Sequence, residues 1–201
     1  MAIGVYKNIP KNEITAQRYT SEGKAYNLDH NEELVVDMKF RGPQKDSGSE
    51  VNAQGWERDS KYYFKELAGK HPEYFSEKNT KYIDGGKSPV VDARFVKYFP
   101  EYKGHENETL IHHHIGGDGQ AVAIPKSEHK GYGEIHNVER QAGITKNGQE
   151  FSKECEKYCE RNPDGIGKTA KELKIDMYKE KIHTNQETEE NKVKNNYSRN
   201  R

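Results

Sequence analysis

The sequence predicts an α+β fold in which a β-hairpin leads into a helix and further helices flank this core. Two β-compatible apolar segments, 109–115 and 121–124, lie on either side of a Gly-Gly-Asp-Gly turn, a pattern typical of a hairpin. The next residues, Pro125, Lys126 and Ser127, suit the start of a helix, with Ser127 as its N-cap. A hairpin followed by a helix is therefore the expected centre of the domain.

The composition limits the size of this domain and the classes of protein it can represent. Only 31% of the 201 residues are hydrophobic and 33% are charged, so we expect one compact centre with loose ends. The 33 basic residues balance the 33 acidic ones, which counts weakly against nucleic-acid binding through a global basic field. No segment approaches the roughly 18 apolar residues of a membrane helix, so we expect no membrane anchor. The N-terminus also lacks the pattern of a Sec-type signal peptide.

The first half of the chain contains one strand signal and two helix signals. Residues 1–55 contain a strand-like run at 34–40 followed by a turn-rich stretch, and we interpret them as an adaptor or linker. Aromatic and aliphatic residues at helical spacing predict a helix within 56–75. A proline placed for a first helical turn predicts a short helix within 88–102, leading towards the hairpin.

The last third is predicted to be helical and then disordered. A helix over 151–161 places Cys155 and Cys159 on one face, where their Cβ vectors are poorly directed for a disulfide. A last helix is expected over 168–182, because apolar residues recur there at helical spacing. Residues 184–201 are polar with almost no apolar side chain, which predicts a disordered tail.

Histidines are concentrated at the predicted hairpin and helix. Five of the nine histidines fall between positions 112 and 136, and three of them are consecutive. The N-cap at Ser127 would place His129 in the first helical turn and His136 on nearly the same face, although Gly131 and Gly133 weaken this helix. Imidazole is the commonest metal-binding side chain and also a general base, so the cluster points to metal-assisted hydrolysis. Glu139 is expected to be a solvated helix position.

Adjacent residues of a strand point to opposite sides of the sheet, which allows two neighbouring histidines to have different roles. One can face a metal ion together with the later histidines, and the other can face water and deprotonate it. The ion would act as a Lewis acid on a scissile phosphate. Arg94, Lys126, Lys130 and Arg140 are candidates for contacts with that phosphate.

The stretch LIHHHIGGDGQAVAIPKSEHKGYGEIH resembles the ββα-metal (His-Me finger) module of the HNH and endonuclease VII superfamily, in the form found in bacterial polymorphic toxins and nuclease colicins. The shared features are a hydrophobic residue before paired histidines, a glycine-containing turn, a short strand ending in proline, and two later histidines. The resemblance covers residues 84–144 and implies an HNH-like core with flanking helices. It gives a nuclease domain over 56–183, with its core motif at 105–144.

The resemblance also implies a role for each site residue. His112 corresponds to the first metal ligand, His113 to the general base, and His129 and His136 to the remaining metal ligands. A register shifted by one, with His113 on the metal and His114 as the base, stays open, and Ile111 as the preceding hydrophobic residue favours the first register. The family's base-orienting asparagine has no counterpart, and Gln120 stands near its place.

The function implied by the resemblance is a metal-dependent endonuclease that uses one divalent ion, Mg²⁺, Mn²⁺, Ni²⁺ or Zn²⁺. Its substrate would be nucleic acid, DNA rather than RNA. Such a domain is the toxin of a secreted bacterial effector, exported by a carrier protein, active in the cytoplasm of the target cell and blocked by a cognate immunity protein. Two alternatives are a zinc-binding interaction module without activity, whose metal site would be closed by four protein ligands, and an RNase that works without metal.

Overall fold

The computed structural model describes residues 18–19, 25–26, 32–43, 50–129, 134–141 and 143–199. The strands are β1 (Arg18–Tyr19), β2 (Ala25–Tyr26), β3 (Val36–Asp37), β4 (Leu110–His114) and β5 (Gln120–Pro125). The helices are α1 (Ser60–Lys70), α2 (Glu77–Asp84), α3 (Ala93–Tyr98), α4 (Glu134–Gln141), α5 (Ile144–Arg161) and α6 (Ala170–Arg199). The predicted α+β class is confirmed.

A three-stranded antiparallel sheet, in the order β3-β5-β4, forms the centre of the domain. The predicted hairpin is β4 and β5, in which His112 pairs with Ala123 and His113 with Val122. All six residues of the central strand β5 are buried. Helices α1, α2 and α3 contribute aromatic and aliphatic side chains to the same hydrophobic core, which holds the histidine-bearing strand in place.

The strand-like run in the N-terminal region is part of this core and not of a separate linker. Strand β3 pairs with β5, with Val36 opposite Ala121. The alternate residues Leu34, Val36, Met38 and Phe40 are each at most 1% exposed. This alternating run therefore supplies an edge strand of the same sheet. The domain boundary at residue 55 stays a prediction.

Side-chain caps determine where the early helices begin. The carboxylate of Asp59 accepts a hydrogen bond from the Tyr62 amide at the start of α1. The carboxylate of Asp92 does the same for the Phe95 amide. The second predicted helix therefore begins at Ala93 and not near the proline, because Val90 forms a bridge with Thr109.

The two C-terminal helices pack around Trp56 in a second apolar cluster. The indole N–H of Trp56 donates to Ser152 Oγ of α5 at 2.8 Å. Cys155 and Cys159 are buried free thiols in this cluster, and burial raises the pKa of Cys159 to about 11.

Helix α6 differs from the expectation for the end of the chain, because it continues to Arg199 through most of the segment predicted to be a disordered tail. No glycine or proline follows Gly167, and glutamate, lysine and glutamine favour a helix. None of the helices in the described part of the chain is long and apolar enough to cross a membrane.

The turn between β4 and β5 requires glycine at position 116. Gly116 has a φ of +61°, in the left-handed region that favours glycine. A Cβ atom at this position would lie 2.9 Å from the carbonyl oxygen of Ile144, the first residue of α5. The turn therefore packs directly against the start of α5, just after the three consecutive histidines.

Replacing Gly116 with alanine should destabilise the domain by about 1–3 kcal/mol, because the left-handed conformation and the backbone contact are both unfavourable for a side chain. The free energy of unfolding, measured in urea, checks this. The matched control is Gly69→Ala in α1, where a Cβ meets nothing within 4 Å. This control should stabilise the protein by about 0.5–1 kcal/mol. Equal effects of the two substitutions would contradict the proposed role of glycine in the turn.

Candidate metal centre

Three histidines from three different segments meet beside the hairpin. His113 lies on β4, His129 in the turn after β5, and His136 on α4. The centroids of their rings are 5.0 to 5.3 Å apart. One ring nitrogen from each residue can be chosen so that all three lie within 4.8 Å of one another. The hairpin and the following helix thus bring together side chains that are up to 23 positions apart in the sequence.

A buried glutamate adjoins this cluster. Glu139 on α4 is 1% exposed, and its Oε1 lies 2.8 Å from Nε2 of His113. Its other carboxylate oxygen is 3.8 Å from Nδ1 of His136. The expectation of a solvated position is therefore wrong. The i,i+3 spacing of His136 and Glu139, which places both side chains on one helix face, is the sequence signal that could have identified it.

The donor set fits a divalent metal ion. Burial, with further contributions from the neighbouring His113 and His136, lowers the pKa of His129 to about 4. Its imidazole is therefore neutral at pH 7 and has a lone pair to donate. Two nitrogens bound to one ion at about 2.1 Å are at most about 4.2 Å apart, so only small side-chain rotations are needed. Three imidazoles also leave a coordination position for water or substrate, as catalytic sites require.

The other two consecutive histidines lie on the opposite face of β4. His112 stacks on Tyr63 of α1, with ring centroids 5.8 Å apart. His114 lies 5.4 Å from His112 between ring centroids. Burial is the main cause that lowers the pKa of His112 to about 3 and the pKa of His114 to about 4. Both imidazoles are therefore neutral at pH 7.

His114 is held by two backbone carbonyl groups. Its Nδ1 lies 2.8 Å from the carbonyl oxygen of Asp118, and its Nε2 lies 3.1 Å from that of Glu57. A neutral imidazole has one N–H group, and we assign it to the shorter contact, so Nδ1 donates to Asp118. This tautomer leaves Nε2 as the basic nitrogen of His114.

The structure brings together a different set of histidines from the set that the favoured register predicts. The favoured register places His112 with His129 and His136, whereas the structure places His113 there. Gln120 does not reach the histidines, because its amide donates to the carboxylate of Asp37 at 3.3 Å. The carbonyl of Asp118 occupies the orienting position that was expected for the Gln120 side chain. The role of each histidine stays a prediction, and this geometry favours the shifted register.

The local structure around the two later histidines also differs from the expectation. His129 lies in a turn after β5 and not in the first turn of a helix. Helix α4 begins at Glu134 and carries His136. Gly131 and Gly133 fall outside the described residues, so the predicted weakening of the helix at these two positions stays a prediction.

A cleft of about 630 Å³ joins the two faces of the site, and all five clustered histidines line it. Two exposed arginines also line the cleft, Arg58 and Arg140. Arg140 was a predicted phosphate contact, and Arg58 was not recognised from the sequence. Arg94 and Lys126 do not line this cleft, and Lys130 lies outside the described residues.

A comparison with protein families identifies a match that covers more than half of the chain. The family model for an HNH/Endo VII superfamily nuclease toxin with a HHH motif matches residues 32–137. The match includes β3, the hairpin and all five clustered histidines, and it ends before Glu139. The predicted family resemblance and HNH-like fold are confirmed. Searches of curated proteins and of solved structures find no match.

Metal binding should depend on His113, His129 and His136 and not on His112. Each of the first three alanine variants should weaken Zn²⁺ or Ni²⁺ binding at least tenfold, because each loses one ligand, while His112→Ala should bind as the unchanged protein does. Isothermal titration calorimetry at pH 7.5 measures this. Loss of metal binding in His112→Ala, with binding retained in His113→Ala, would instead support the first register and contradict the ligand group of His113, His129 and His136.

Proposed function

We propose, from the premise that the chain belongs to the HNH/Endo VII superfamily of nuclease toxins with a HHH motif, that it is a metal-dependent endonuclease. The observation that supports this most is that the histidines on the two faces of β4 have different surroundings. His113 joins His129 and His136 in a group suited to a metal ion, and His114 faces the other side of the strand. Its Nε2, 3.1 Å from the carbonyl oxygen of Glu57, is the nitrogen that can take a proton. Both faces open into the same cleft.

The histidines of this cleft have two different roles in the proposed reaction, metal binding and proton transfer. His113, His129 and His136 would hold the divalent ion, which would act as a Lewis acid on the scissile phosphate. Nε2 of His114 accepts a proton from the attacking water, which raises the nucleophilicity of that water. Of the four candidate ions, Zn²⁺ and Ni²⁺ match an all-imidazole donor set better than Mg²⁺ does.

The surroundings of His114 suit a group that gains and loses a proton. After the proton transfer, both ring nitrogens carry N–H groups, and backbone carbonyls of Asp118 and Glu57 lie 2.8 and 3.1 Å from them as acceptors. Burial keeps the resting imidazole neutral at pH 7. The carbonyl groups therefore partly offset the cost of charging a half-buried imidazole during the reaction.

We further propose that the substrate is DNA, in keeping with the resemblance to nuclease colicins. The exposed guanidinium groups of Arg58 and Arg140 line the cleft and are suited to contact phosphates of the backbone. The nuclease-toxin family supports a role as the toxin domain of a secreted bacterial effector. In that role, a carrier exports the domain into the cytoplasm of a target cell, and an immunity protein protects the producing cell.

The nuclease activity should require both the metal and His114. The purified chain should nick supercoiled plasmid with added Mg²⁺, Mn²⁺, Ni²⁺ or Zn²⁺, and EDTA should abolish the cleavage. His114→Ala should lower the cleavage rate by about 10²–10⁴-fold with metal affinity unchanged, because it removes only the general base. Agarose gel electrophoresis and a parallel metal titration measure the two effects.

Total RNA serves as the second substrate in the same assay. The matched histidine control is His183→Ala on the exposed part of α6, which should cleave as the unchanged protein does. Cleavage of RNA that persists in EDTA would replace the proposal with a metal-independent RNase. Intact plasmid and RNA under every metal, together with tight Zn²⁺ binding, would replace it with the zinc-binding interaction module.

A further inference from the structure

We infer that Glu139 is a positioning residue that fixes the tautomer of His113, so that His113 presents Nδ1, and not Nε2, to the metal. The inference rests on the proposed function only in taking His113 as a metal ligand. It concerns a residue outside the matched family range, which ends at position 137. It assigns a role to a buried carboxylate that the proposed reaction does not use.

The contact between the two side chains is close and shielded from water. Nε2 of His113 and Oε1 of Glu139 are 2.8 Å apart, and their side chains are 0% and 1% exposed. Removing a carboxylate from water is costly unless it is paired or hydrogen-bonded. The position of Glu139 is therefore typical of a carboxylate kept for a specific partner.

The chemistry of the two groups determines the direction of the hydrogen bond. When Glu139 is ionised, its carboxylate only accepts hydrogen bonds, and Nε2 of His113 then carries the proton that is donated to Glu139. A neutral imidazole with its proton on Nε2 has its lone pair on Nδ1. A metal ion binds only a nitrogen with a free lone pair, so Nδ1 is the nitrogen that His113 can offer.

The placement of Glu139 on α4 extends its influence to a second ligand. His136 and Glu139 are three residues apart on one helix face, and Oε2 of Glu139 is 3.8 Å from Nδ1 of His136. One carboxylate thus lies against two of the three histidines, on β4 and on α4. Its negative charge also increases the electron density that the His113 ring donates to a cation. Glu139 therefore links the strand and the helix that carry the site.

The test uses Glu139→Gln and Glu139→Ala with two readouts that do not depend on cleavage. The first is the tautomer of His113 in the metal-free protein at pH 7.5, measured by ¹⁵N NMR of the imidazole rings. We expect the unchanged protein to carry the proton on Nε2. We expect both variants to show a mixture of tautomers, because neither provides an ionised acceptor.

The second readout is the affinity for Zn²⁺, measured by calorimetry. Both variants should bind about 10–100-fold more weakly, the usual effect of losing a group that orients a metal-bound histidine. The control is Glu150→Gln on α5, whose side chain is 62% exposed, and it should change neither readout. The isosteric Glu139→Gln keeps the test valid if Glu139→Ala fails to fold.

Three results would overturn the inference. The first is a His113 proton found on Nδ1 in the unchanged protein. The second is an unchanged Zn²⁺ affinity in both folded variants. The third is a complete loss of Zn²⁺ binding in Glu139→Gln, which would make Glu139 a direct ligand. Because neither readout involves cleavage, a protein that fails to cut plasmid but gives the expected tautomer and affinities would refute the nuclease and leave the role of Glu139 intact.

Discussion

The antiparallel pairing of β4 with β5 is the constraint on which the site depends. It fixes an extended backbone through three consecutive histidines, so that His113 points to one side of the sheet while His112 and His114 point to the other. A shift of one residue in this register would exchange the two sets. The buried strand β5 and the apolar core beneath it oppose such a shift, because it would expose core side chains.

The face of β4 that carries His113 brings three imidazoles and one buried carboxylate together. The ring centroids of the three imidazoles are about 5 Å apart, and burial, together with the neighbouring His113 and His136, lowers the pKa of His129. The turn after β5 and helix α4 nevertheless hold His129 and His136 in place. Glu139 supplies negative charge at the same position. A divalent cation bound here would pair with that charge, and folding and metal affinity would then be coupled at this site.

The sequence predicted the hairpin and the cluster of histidines, because glycine turns and alternating residues are local signals. Three identical neighbours fit two registers, and the hydrophobic Ile111 before them favoured the register that groups His112, not His113, with His129 and His136. The orienting carbonyl of Asp118 was missed because every residue has a backbone carbonyl group, so the sequence does not indicate which one contacts His114. Glu139 was missed because its burial comes from tertiary packing. The polar end of α6 was predicted to be disordered, although the absence of glycine and proline there favours a helix.

The most direct test of the proposed metal centre is a crystal structure of the chain with bound Zn²⁺ or Mn²⁺, with the ion located by anomalous scattering. We predict one ion bound by nitrogens of His113, His129 and His136, with at least one coordination position open to water in the cleft beside His114. An ion bound by His112, or one enclosed by four protein ligands with no open position, would contradict this prediction.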